Sequence, residues 1–156
     1  MIKGLVEKIS IAFSSTDSSE HDEDAREKAI RMATAVLMTE VARADCDYDE
    51  SELNVLLDLI TDRFQISPED AIELANEAEE AAEEHVSLHN FTQLLNNNLD
   101  EREKGHIVSL LWQVAYADGR LDKYEDSLVL KISDLLYVSR GRVMRLKHDA
   151  KQAYCR

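Results

Sequence analysis

A twelve-residue pattern occurs twice in this chain, at residues 41–52 and again 73 residues later at 114–125, sharing the letters V-A-x-A-D-x-x-x-D-x-x-E. Self-similarity at one offset marks a structural unit used twice. With a one-residue shift the match continues: Ile66-Ser67 faces Val138-Ser139, and Leu74 and Ala78 face Leu146 and Ala150. Each copy therefore reads as helix, acidic turn, helix, serine-capped helix.

The apolar periodicity supports helices throughout. Ile30, Ala33, Leu37, Val41 and Ala44 share one face of a helix over about 24–44. Leu53, Leu56, Leu57, Ile60 and Phe64 do the same from about Asp49. Ser67 is an N-cap with Pro68 at the first helical position, where its missing N–H costs nothing, so a third helix runs to about Glu84. A shorter linking helix covers about 86–96. Asp100 and Glu103 form a capping box that opens a fifth helix, carrying Ile107, Leu110, Leu111 and Val114. The sixth starts near Asp122 and the seventh after Ser139. One proline and four glycines leave little turn chemistry for a many-stranded alternative. The expected fold is all-α, a seven-helix bundle of two pseudo-symmetric units, and 156 residues suit a single core.

Ahead of this domain, Ile2, Leu5, Val6, Ile9 and Phe13 predict a short amphipathic helix, and residues 14–23 read as an acidic, solvated linker. The boundaries are 1–23 for helix and linker and 24–156 for the bundle. The apolar face of that leading helix offers a surface for a partner, for packing onto its own domain, or for a second copy in a homodimer.

A net charge of −14 argues against nucleic acid and predicts no basic face; it favours cations and basic proteins. Cys46 and Cys155 lack metal or redox spacing and fit a reducing compartment. No run of about 18 apolar residues spans a membrane, and no cleavage site follows the N-terminus. The expected setting is the cytoplasm or the surface of the inner membrane.

Asp49 with Glu52, and Asp122 with Glu125, have capping-box spacing, worth about 1 kcal/mol per cap. Asp45 and Asp118 fall at the ends of preceding helices, where the dipole disfavours a carboxylate. An Asx-turn or pairing with Arg43 or Arg120 compensates them locally; a bound Ca²⁺ or Mg²⁺ is the alternative. The candidate cation ligands are Asp45, Asp49, Glu52, Asp118, Asp122 and Glu125. A complete EF-hand is excluded, because its sixth position is Glu50 and its twelfth Leu56.

These segments, together with Leu111-Trp112-Gln113 and His89-Asn90-Phe91-Thr92, make the chain resemble the TerB-like domain family of tellurite-resistance protein B over roughly residues 25–153. The resemblance implies a helical bundle, a bacterial cytoplasmic or membrane-peripheral setting, a role in metal-linked stress and no enzymatic activity. Related domains occur beside J-domain co-chaperones. The two copies differ at Cys46, where the second has Gly119.

His85 and His89 share a helix face but lack a third ligand, so a solvated pair is the simpler account. Trp112, Tyr116 and Tyr124 fall on helical stripes and read as core. No nucleophile elbow, phosphate loop or catalytic carboxylate pair is present, and a metal-dependent hydrolase at the acidic turns is the weakest reading. The leading expectation is an interaction module whose acidic face, with Glu73, Glu77, Glu80 and Glu84, docks basic or membrane-associated protein partners.

Overall fold

The computed structural model describes residues 20–44, 50–83, 87–117 and 119–154; the leading amphipathic segment and most of the first acidic turn lie outside them. The described residues form seven helices and no strand: α1 Glu20–Ala42, α2 Glu50–Phe64, α3 Pro68–Glu83, α4 Leu88–Asn98, α5 Glu101–Ala115, α6 Lys123–Leu135 and α7 Arg140–Tyr154. Helix α1 begins four residues before the expected Asp24, inside the acidic stretch. Acidic residues at a helix N-terminus complement its dipole and extend it.

The caps act locally as their residue types dictate. Ser67 Oγ accepts from the Asp70 amide at 3.1 Å, and Ser139 Oγ from the Arg142 amide at 3.4 Å. At Asp100 the full box closes: Oδ1 accepts from the Glu103 amide at 2.8 Å while Glu103 Oε1 accepts from the Asp100 amide at 3.3 Å. The repeat is also written in the backbone. Gln65 and Tyr137 end α2 and α6 with positive φ, 54° and 60°, each two residues before its capping serine.

The two units pack alike. Within the first, α1 touches α2 and α3, and α2 touches α3; within the second, α5 touches α6 and α7, and α6 touches α7. Across the centre α1 meets α5, with α2 on α5 mirrored by α1 on α6. Helix α4 bridges α1 and α6. This reciprocal pattern is a pseudo-twofold arrangement.

Helix α1 is the axis of the core, for every residue from Met32 to Thr39 is buried. A helix enclosed on all sides must satisfy its polar groups itself, and Thr34 and Thr39 do so by donating to the Ile30 and Ala35 carbonyls at 2.8 Å. Ala71, Ala75, Ala78 and Ala81 give α3 a small-residue face that lies close against α1. In the second unit Trp112 and Tyr116 are buried as expected, but Tyr124 is exposed. Standing in the first turn of α6, it faces solvent beside the Lys123 ammonium, 5.2 Å from its ring.

Gly105 is buried where α5 meets α7, at the place the Arg142 guanidinium occupies. Arg142 crosses there to donate to the Glu101 carbonyl at 2.6 Å. At the far end of α7, Tyr154 donates to Gln113 Oε1 at 3.4 Å. Burial, and then the negative charge of Asp58, hold its phenol above the ordinary value of 10.0.

Candidate functional site

The second acidic turn runs from the end of α5 to the start of α6. The Gly119 amide donates to the Tyr116 carbonyl at 2.8 Å, and Gly119 adopts φ +84°, which suits a residue without a Cβ. Asp122 then caps α6, with Oδ1 accepting from the Tyr124 amide at 2.7 Å.

The capping box expected from Asp122 and Glu125 does not form. Asp122 engages the second amide of the helix instead of the third, and Glu125 turns inward, 0 % exposed. Spacing brings the glutamate within reach of the cap, but at this position the interior claims it. Asp122 therefore caps α6, and Glu125 does not.

Of the other candidate cation ligands, Asp45, Asp49 and Asp118 lie outside the described residues, as does the side chain of Glu52. The described residues contain no group of three or more His, Cys, Asp or Glu that could hold a metal ion. Arg43, a candidate partner for Asp45, lies 3.9 Å from Glu83 at the end of α3. His85 is likewise outside, and His89 is exposed.

Two surfaces stand out by charge. Helix α3 carries seven carboxylates and no cation, with Glu73, Glu77 and Glu80 exposed; Glu84 lies beyond the described helix. Helix α7, its counterpart in the second unit, carries five cations and one carboxylate. An open groove runs beside α7, with Tyr116, Leu121 and Met144 among its apolar lining and Lys147, His148 and Lys151 along it. This basic face corrects the expectation drawn from net charge. The signal was present in Arg140, Arg142, Arg145, Lys147 and Lys151, but averaging over the whole chain hid it.

The family model described as Tellurite resistance protein TerB matches residues 31–148, three quarters of the chain and all of both repeated units but their margins. The chain belongs to the TerB family. No curated protein and no solved structure matches it. As a TerB domain it has both acidic turns inside the matched region, whereas residues 1–30 precede it. Among the described residues no helix of this TerB domain is long and apolar enough to cross a membrane.

Proposed function

We propose that this TerB domain is a non-catalytic interaction module that docks a basic protein partner through the exposed face of α3, in a bacterial response to tellurite or related metal stress. The observation that carries the reading is the face itself. Like charges one turn apart, as at Glu69 and Glu73, Glu73 and Glu77, or Glu79 and Glu83, each cost a helix roughly 0.2–0.5 kcal/mol. Such a face works against the helix that bears it and gains its value from a complementary surface. A basic partner would be drawn in by long-range attraction that added salt weakens.

The test is affinity capture from the source cells with the wild type and with Glu73→Lys/Glu77→Lys/Glu80→Lys, circular dichroism confirming that both are folded. Partners retained by the wild type in low salt should be lost from the variant and from the wild type in high salt. Equal capture by the variant would sink the reading.

A second reading is a divalent-cation site, for Ca²⁺ or Mg²⁺, at the duplicated turns, using Asp45, Asp49, Glu52, Asp118, Asp122 and Glu125. Its support is the repetition of the acidic pattern at one offset, which places oxygen ligands at both turns. Titrating Ca²⁺ and Mg²⁺ while following the backbone amides of residues 45–52 and 118–125 decides it: signals that stay still at millimolar cation exclude the site.

A further inference from the structure

The third helices of the two units are equivalent in fold and opposite in charge. Ile72 on α3 and Met144 on α7 stand at matching positions 72 residues apart, and both are exposed large hydrophobic side chains, 50 and 45 % accessible. Around Ile72 the neighbouring turns carry Glu69, Glu79 and Glu80; around Met144 they carry Lys147, His148 and Lys151. Among the described residues Arg145 and Lys151 form no ion pair. Each helix thus presents one apolar anchor, flanked by carboxylates on α3 and, on α7, by Lys151 and by Lys147, whose ammonium also pairs with Asp126, so the two flanks are complementary in charge.

We infer that the acidic face of α3 on one copy of the chain docks onto the basic face of α7 on another, Ile72 and Met144 meeting at the centre of the contact. The inference rests on α3 being a docking face and names one occupant for it. Because the two surfaces lie on different helices, the contact is heterologous: every copy keeps one unused face, and association continues head to tail unless a ring closes. It also covers the α3 carboxylates, so self-association and capture of an outside basic partner compete.

Sedimentation at rising protein concentration tests this, with one variant per face: Glu69→Lys/Ile72→Lys on α3 and Met144→Glu/Lys151→Glu on α7. All four side chains are exposed, so both variants should fold. The wild type should associate with concentration in low salt and dissociate in high salt. Each variant alone should stay monomeric, and an equimolar mixture should form a one-to-one dimer and nothing larger, since each supplies the face the other has lost. A wild type that stays monomeric in low salt, variants that associate alone, or a mixture that stays monomeric would overturn the inference. Its failure is separable from that of the outside-partner reading: the α7 variant keeps its α3 face, so capture of a basic partner by that variant survives whether or not copies associate.

Discussion

Lys147 places its ammonium 2.7 Å from Asp126 Oδ1, joining α7 to α6, and the same ammonium stands 5.3 Å from the centroid of the Trp112 ring on α5. One side chain thereby ties together the three helices of the second unit. Exposed ion pairs contribute about 0.2–1 kcal/mol, but here the partners are only 22 and 30 % accessible. The ring contact adds about 0.5–1 kcal/mol.

Lys147→Ala is therefore expected to destabilise by about 1–2 kcal/mol, more than an ordinary surface pair. A urea-denaturation double-mutant cycle with Asp126→Ala should recover a coupling energy smaller than the single-mutant loss, because the Trp112 contact lies outside the pair.

Asp122→Ala removes the cap of α6 and should cost about 1 kcal/mol with or without divalent cation. The measurement is chemical denaturation in chelator and in millimolar Ca²⁺ or Mg²⁺. A loss that appears only with cation would favour the cation reading over the capping one.

Gly119→Ala forces a Cβ into a left-handed backbone conformation, at a cost of about 1–2 kcal/mol. The nearest atom to such a Cβ is the Tyr154 carbonyl oxygen at 4.0 Å, so the cost is conformational and not a clash. A thermal midpoint unchanged from wild type would contradict this account.

Tyr154 sets an alkaline limit. Its phenol is raised above 10.0 in the fold, so the native state holds the proton more tightly than the unfolded chain does. That stability is fully present below the unfolded value and lost as pH rises through the folded one. Denaturation curves above pH 10.0 should show a steeper decline for the wild type than for Tyr154→Phe.

The helices were legible because their signals are local. Ser67-Pro68, the Asp100 and Glu103 pair and Ser139 each act through amides within three residues, so no knowledge of the tertiary fold was needed to place the starts of α3, α5 and α7. Glu125 shows where that logic ends. Its spacing from Asp122 equals that of Glu103 from Asp100, yet one glutamate caps and the other is buried, a choice made by neighbours distant in sequence. Tyr124 went the opposite way for the same reason. The basic face of α7 was hidden by the arithmetic of net charge, which cannot show that two like-placed helices carry opposite signs. The acidic turns were found as a pattern, and the cation reading proposed for them rests on Asp45, Asp49, Glu52 and Asp118, whose side chains lie outside the described residues.

Helix α1 is enclosed by partners from both units, α5 and α6 as well as α2 and α3. A chain cut after α3 would leave the far side of α1, apolar through Met32–Met38 apart from Thr34, open to water. The repeated unit is thus not a unit of folding: the first copy leaves its central helix uncovered without the second, and one thread carries both.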